Sequence, residues 1–314
     1  MGVDRIPIAE RARGRWPGIL AQLGVPATSL TGKHGPCPIC RVGHDRFRFD
    51  NKDGRGTFIC SKCGAGDGVK LVMEVNGWDF RQAAQEVERV AGDVSPERVK
   101  PDRPEHEKRE ALNRLWRSAS PAAAADPVGL WLASRVGLVA YPADLRCGLH
   151  VRYEDDPPSH HPAMLALVRG TDGAPVNIHR TYLTKDGQKA PVEKPRRMMP
   201  GTVPKGAAVR LFPAAETMGI AEGIETAFAA ASLFSMPVWA ALGTAGLTSW
   251  LPPPQAREII VFGDKDTKFG GQAAAYALAH RLATSSRGHA VEKVSVELPG
   301  REGADWNDVL KDRP

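Results

Sequence analysis

The chain has no G-x-x-x-x-G-K-[ST] segment anywhere in its 314 residues, so it contains no P-loop and no nucleotide-driven motor. It also lacks a long unbroken apolar run. Its longest apolar region, Thr217 to Leu247, is interrupted by Glu222, Glu225 and Pro237, which makes it a buried sheet-and-helix unit and argues against a membrane span. The opening residues, MGVDRIPIAERARGRW, are charged and carry no apolar core of a secretory leader. Cysteine is scarce, five in all, and in the absence of a leader these thiols are expected in a reducing compartment. What remains is ordinary globular composition, 25% charged and 42% hydrophobic, over a length that predicts two or three domains.

Four of the five cysteines are grouped. Cys37 and Cys40, then Cys60 and Cys63, form two C-x₂-C pairs with nineteen residues between them. Each pair makes a tight knuckle whose thiolates converge on one side, and two knuckles complete a tetrahedral Zn²⁺ site. The competing reading, two disulfides or four free thiols, needs an oxidising compartment or leaves the spacing unexplained. His34 and His44 flank the first knuckle, but four cysteines already satisfy zinc, so both histidines are expected at the surface or facing nucleic acid. Cys147 lies apart and reads as a small core residue. Between the knuckles Arg46, Phe47, Arg48 and Phe49 alternate cation and aromatic, followed by Lys52, Arg55, Phe58 and Lys62. On a strand the arginines share one face and the phenylalanines the other. The first face suits phosphate; the second packs a small core or stacks a base.

The other informative stretch is IIVFGDKD, Ile259 to Asp266. A short apolar run closed by a glycine predicts a strand buried in a parallel sheet. Ligands of open α/β sheets bind beyond the carboxyl ends of such strands, where Asp264 and Asp266 fall. Two readings fit the spacing: both acids hold Mg²⁺ or Mn²⁺, or Asp264 caps a helix starting near Gly271 and Asp266 is solvated surface. Two further strands end the same way. Met218 to Ala221 is followed by Glu222 and a helix over about residues 225–235, and Val294 to Leu298 is followed by GADWNDVL with Asp305 and Asp308. With a second helix over about 271–285, the pattern is βαβ with a mostly parallel sheet. Carboxylates gathered at one sheet edge repel one another unless cations intervene.

A glutamate after one strand, Asp-x-Asp after a later one and a final Asp-containing turn resemble the Toprim domain of DnaG-type primases, topoisomerases and some nucleases, over roughly residues 216–312. The resemblance implies that Glu222 is an acid/base or metal-orienting carboxylate, that Asp264 and Asp266 are metal ligands, and that Asp305 supports them. Bacterial primases usually carry an aspartate four residues after the glutamate. Here that position is Thr226, with Glu225 one place earlier either substituting for it or serving on the helix surface or first turn. Residues 30–92, from the knuckles through the helix KLVMEVNGWDFRQAAQEVERVAG, resemble the zinc-binding domain of phage and plasmid primases.

Residues 93–107, DVSPERVKPDRPEHE, are charged and proline-rich and read as a flexible linker, with helical pattern resuming at Lys108. The middle of the chain holds the charge asymmetry. Between Pro175 and Arg210 eight cations oppose Asp186 and Glu193, a net of +6, equal to the net charge of the whole chain. Such concentration argues for a polyanion-binding surface, although a charge run is also what a plain solvated face looks like. The segment reads as strand-rich, with PAMLALVRG and PVNIHRTYLT forming a hairpin about the turn TDGA and AVRLF as a later strand. It resembles the basic ridge beside the Toprim acids in phage-type primases, which implies phosphate contacts for Arg180, Lys189, Arg196 and Arg197.

The expected architecture is therefore an N-terminal β zinc ribbon (1–92), a linker (93–107), a small α+β strand-rich basic subdomain (108–215) and an α/β Toprim domain with helices on both faces of its sheet (216–314). The resemblance implies a DNA primase using structural Zn²⁺ and catalytic Mg²⁺ or Mn²⁺, with single-stranded DNA template and NTPs as substrates, a separate replicative helicase as partner, no membrane, and a bacterial or host cytoplasm as its place. A Toprim nuclease and a non-catalytic zinc-ribbon DNA-binding factor are the alternatives. A topoisomerase needs a nucleophilic tyrosine, and Tyr141, Tyr153, Tyr182 and Tyr276 have no such context.

Overall fold

The computed structural model describes residues 7–92, 94, 104–137, 140–155, 157–285 and 291–312, arranged as two compact units divided between Pro104 and Glu105. Of the expected linker, residues 93 and 95–103 lie outside the described residues.

The first unit contains helices α1 (Ile8–Arg11) and α2 (Trp16–Gln22), strands β1 (Phe47–Phe49), β2 (Phe58–Cys60) and β3 (Gly64–Gly66), and helices α3 (Gly68–Asn76) and α4 (Phe80–Ala91). The strands form an antiparallel sheet in the order β1-β2-β3. The alternation read from the sequence sets its faces. Phe47, Phe49, Phe58 and Cys60 are buried, while Ile59, paired across from Arg48, is 49% exposed. Phe47 and Phe58 stack with ring centroids 5.6 Å apart and join Trp16, Ile19, Leu20 and Leu71 in one core. Both phenylalanines of β1 are thus core residues and neither is free to stack a base. Gly68 opens α3 directly against the Trp16 indole, with no room for a side chain. Asp67 caps that helix by accepting from the Lys70 N–H at 3.0 Å, and Asp79 and Gln82 cap α4 reciprocally, a reach-back that satisfies donors the helix start leaves open.

The second unit starts with α5 (Glu105–Ser118), three residues earlier than the sequence pattern suggests. It continues through β4 (Ser120–Pro121), α6 (Pro127–Val136), β5 (Leu145–Tyr153), β6 (Ser159–Arg169), β7 (Pro175–Tyr182), β8 (Arg196–Met198) and β9 (Ala208–Val209). The Toprim part follows with β10 (Thr217–Ala221), α7 (Ile224–Phe234), β11 (Val238–Ala240), α8 (Thr244–Ser249), β12 (Glu258–Phe262), α9 (Gly270–Thr284), β13 (Lys293–Glu297) and α10 (Trp306–Lys311). The hairpin β6–β7 turns through Gly170 to Ala174, as the TDGA segment predicts.

Among the described residues these strands make one ten-stranded sheet. Its path is β13-β12-β10-β11-β9-β6-β5-β4, with β7 and β8 extending from β6. The four strands β13, β12, β10 and β11 are mutually parallel, and β9 joins β11 antiparallel at Val209 and Ala240. The basic middle segment and the Toprim segment therefore share a sheet. They share a core as well, in which Val128, Leu132, Met164 and Val209 pack with Ala221, Ile224, Phe228, Phe262 and Trp306. Among the described residues no helix is long and apolar enough to cross a membrane.

Candidate metal centres and basic ridge

In the first unit the two knuckles bring Cys37, Cys40, Cys60 and Cys63 together, with all four Sγ atoms within 4.8 Å of one another. Cys37 Sγ and Cys63 Sγ are 3.9 Å apart, close to the roughly 3.8 Å between sulfurs of a tetrahedral zinc thiolate site with Zn–S near 2.3 Å. Burial pushes the Cys63 thiol up to about 12, helped by its hydrogen bonds to the other three sulfurs. Burial also acts on Cys60, but the Cys63 and Lys62 backbone N–H groups, together with the Cys37 and Cys63 thiols, outweigh it and bring that thiol down to about 7. Four thiolates this close need a cation, and the donor set is that of structural Zn²⁺. His34 and His44 are exposed, and His34 is engaged through Nδ1 with the Asp45 carbonyl at 2.9 Å. Cys147, in the second unit, is buried 4% exposed, and burial drives its thiol up to about 11, as befits an unreactive core residue.

Beyond the zinc site the unit's open sheet face carries Arg48, 3.8 Å from Asp50, and half-buried Arg46. Lys52, Arg55 and Lys62 are exposed.

In the second unit the acids lie where the parallel strands end. Glu222 directly follows β10, Asp264 and Asp266 follow β12, and Asp305 starts α10. Several contacts fix these turns. The Leu242 and Gly243 N–H groups both donate to the Glu222 carbonyl, at 2.8 and 3.2 Å, which ties the turn after β10 to the turn after β11. Leu242 holds a left-handed φ of 64° to make that contact, a conformation that costs a non-glycine residue energy and clusters at functional sites. Gly271 lets α9 approach the end of β12, since a Cβ there would lie 2.6 Å from the Asp264 carbonyl oxygen. The Trp306 indole donates to the Gly263 carbonyl at 3.1 Å and packs edge-on against Phe262 and Phe234, so α10 is latched beside Asp264.

The carboxylates differ in what they do. Asp264 is half-buried, and its Oδ1 has no hydrogen-bond partner. Burial, then Glu222, Asp305 and Asp266, push its carboxyl up to about 7 against a smaller opposing pull from Arg196. Glu222 is raised too, by burial first and by Asp266, with Arg196 opposing. The helix-start bond that one reading gave to Asp264 is made by Asp266, whose Oδ2 accepts from the Gly271 N–H at 2.7 Å. Asp305 and Asp308 form a capping box on α10: Asp305 accepts from the Asn307 and Asp308 N–H groups, and Asp308 accepts from the Asp305 N–H at 3.2 Å. Lys265 turns away from its neighbours, its Nζ donating to the Gly300 carbonyl at 2.8 Å. A buried, unpartnered carboxylate oxygen surrounded by three more acids fits a divalent cation with oxygen ligands. The acids are nonetheless more open than the cysteines, which are the one group of ligand atoms drawn within 4.8 Å among the described residues.

The cations of the basic segment differ in exposure and in their partners. Lys189 is exposed and lies 5.9 Å over the Trp131 ring. Arg197 stacks 4.4 Å over Tyr153 and reaches Glu154 at 3.3 Å. Arg196 is half exposed and pairs with Glu225 at 2.7 Å. Arg180, expected to meet phosphate, is instead buried at 4% exposure and donates to the Met198 carbonyl at 3.0 Å. Its position on β7, between β6 and β8, turns its side chain into the sheet's own packing. Glu225 lies in the first turn of α7, one of the places the sequence allowed it, but it is 3% exposed against Arg196 and not on the helix surface.

The geometry defines a class: a closed four-cysteine module with the donor set of structural zinc, joined in one chain to an α/β sheet whose strand ends carry acids. Residues 32–69 match the family described as the zinc-binding domain of primase-helicase, and residues 217–313 match the Toprim domain. The chain thus carries a primase-type zinc-binding domain followed by a Toprim domain, the composition of a DNA primase. Residues 106–211 match a domain of unknown function, DUF7146. Among solved structures, the primase fragment of the bacteriophage T7 primase-helicase is 15% identical at a TM-score of 0.40, over 89% of this chain and 94% of that one. The Aquifex aeolicus primase zinc-binding and RNA polymerase domains are 15% identical at 0.34, over 99% and 83%. A DNA primase domain from Pseudomonas aeruginosa is 18% identical at 0.36, over 52% of each chain.

Proposed function

We propose that this protein synthesises short RNA primers on single-stranded DNA, a metal-dependent nucleotidyl transfer from NTPs. The observation that carries the reading is Asp264: a half-buried carboxylate whose Oδ1 is shielded from solvent and unpartnered, at the end of a parallel strand, among Glu222, Asp266 and Asp305. Asp264 and Asp266, with Glu222, would hold Mg²⁺ or Mn²⁺, and Asp305 supplies further negative charge from the start of α10. When bound, such ions lower the pKa of the attacking 3′-hydroxyl and offset charge on the phosphates. Glu222, whose carboxyl pKa is raised by burial and by Asp266, is suited to orient metal or take part in proton transfer. Lys189, Arg196 and Arg197 face the triphosphate or template backbone, and Arg46 and Arg48 of the zinc module contact the template phosphates. Arg180 supports the ridge from within. A replicative helicase is the expected partner, supplied by another protein or another segment, since this chain has no P-loop.

The test is labelled NTP incorporation on single-stranded DNA with Mg²⁺ or Mn²⁺. Wild-type protein should yield products that grow, and Asp264→Asn should lower synthesis at least about 100-fold with single-stranded DNA binding kept. Shortening of the DNA would favour a nuclease, and wild-type primer levels from Asp264→Asn would sink the assignment.

A further inference from the structure

We propose that Glu225 is a positioning residue that fixes the Arg196 guanidinium beside the Toprim acids, and that Arg196 is the cation meeting the triphosphate there. The inference rests on the primase reading of the site and extends it to two residues whose roles that reading leaves open. Glu225 is in the first turn of α7, three residues after Glu222. Its carboxylate folds back toward that turn, with Oε2 3.9 Å from where a Gly223 Cβ would sit. There it is 3% exposed and accepts from Arg196 Nη2 at 2.7 Å. Arg196 comes from β8, on a different part of the sheet, where it pairs with Thr181 of β7. The bond therefore links the basic segment to the loop that carries Glu222.

The two ends of this pair have different surroundings. Glu225 is enclosed, whereas the Arg196 side chain is 45% exposed, so one donor holds the carboxylate while the rest of the guanidinium fork is open. Because Glu225 lies one turn beyond Glu222, at the start of the helix that Glu222 leads into, its bond to Arg196 holds that cation at the end of β10. A guanidinium is planar and matches phosphate oxygens through two N–H groups at once. Held at one end, it loses less freedom on meeting phosphate. A divalent ion bound by Glu225 would instead lie against the Arg196 charge in a buried pocket, where that repulsion is weakly screened. Glu225 thus serves the site through Arg196 and not as a metal ligand.

The experiment uses the full chain and its variants Glu225→Gln, Arg196→Gln and the double variant, each checked for native circular dichroism. Mn²⁺ binding is read by electron paramagnetic resonance and ATP binding in the presence of Mn²⁺ by calorimetry. Glu225→Gln should leave Mn²⁺ affinity within about twofold and weaken ATP binding about tenfold, the scale of one charge-assisted contact. Arg196→Gln should weaken ATP similarly, and the double variant little further, because the pair acts as a unit. A tenfold loss of Mn²⁺ affinity in Glu225→Gln, unchanged ATP binding, or additive losses in the double variant would each overturn the inference. Wild-type protein that binds ATP but makes no primer would defeat the primase reading while leaving this pairing to be judged on binding.

Discussion

The two metal centres solve the same electrostatic problem in opposite ways. Four cysteines converge within 4.8 Å, two of them inside a core of Trp16, Phe47 and Phe58. Soft thiolates so placed leave no open coordination position, which is the arrangement of a structural zinc site. The acids of the second unit are hard oxygen donors spread over the ends of β10 and β12 and the start of α10. One of them, Asp264, is half-buried, with Oδ1 shielded from solvent and without a partner. Such an open arrangement of oxygen donors is what the proposed catalytic metal site would need. The difference teaches that closure and reactivity are separated by donor type and spacing, within one chain.

The largest effect should come from attacking the closed site. Zinc binding to small modules is worth about 10–16 kcal/mol, comparable to or above the total stability of a domain, about 5–15 kcal/mol. Removing zinc with a strong chelator, or replacing Cys60 by Ser, should therefore unfold the first unit. Limited proteolysis should cut within residues 7–92 while residues 105–312 stay resistant. Persistence of the first unit without zinc would make the two centres more alike than described.

A smaller and opposite effect is expected at the acids. Asp264 has its carboxyl pushed from 3.8 up to about 7 in the folded chain, so the native state holds a proton that the unfolded chain has released. Its contribution to stability is full below pH about 4 and falls as pH rises toward 7, by up to about 4 kcal/mol in the metal-free protein. Glu225 runs the other way: held low by Arg196 despite its burial, it contributes above its ordinary value and loses that contribution as pH falls. Comparing wild type with Asp264→Asn isolates the first term. The metal-free variant should be the more stable of the two at pH 8, and the gap should close toward pH 4. Thermal melts across that range check it, and a variant less stable at pH 8 would deny that the buried charge is a burden.

Sequence and structure agree where short-range pattern controls the outcome. Ile259 to Phe262 and Met218 to Ala221 are unbroken apolar runs, so their burial as parallel strands and the acids at their ends follow from local pattern. The C-x₂-C pairs and the TDGA hairpin are likewise local. What escaped is long-range. Nothing near Val209 announces that β9 will join β11 and merge the basic segment with the Toprim sheet. Arg180 looks like its neighbouring cations, yet only its register between β6 and β8 buries it. Glu225 and Arg196 are 29 positions apart, and no spacing rule connects them. Asp305 and Asp308 carry a local signal as well, the D-x-x-D spacing of a reciprocal cap on α10.

Manganese binding measured on one sample before and after Asp264→Asn, with zinc content assayed in parallel, bears most directly on the contrast between the centres. Wild-type protein should retain one zinc per chain and bind Mn²⁺ reversibly, and the variant should keep its zinc while losing Mn²⁺ affinity at least about tenfold. Undiminished Mn²⁺ binding by the variant would contradict the account.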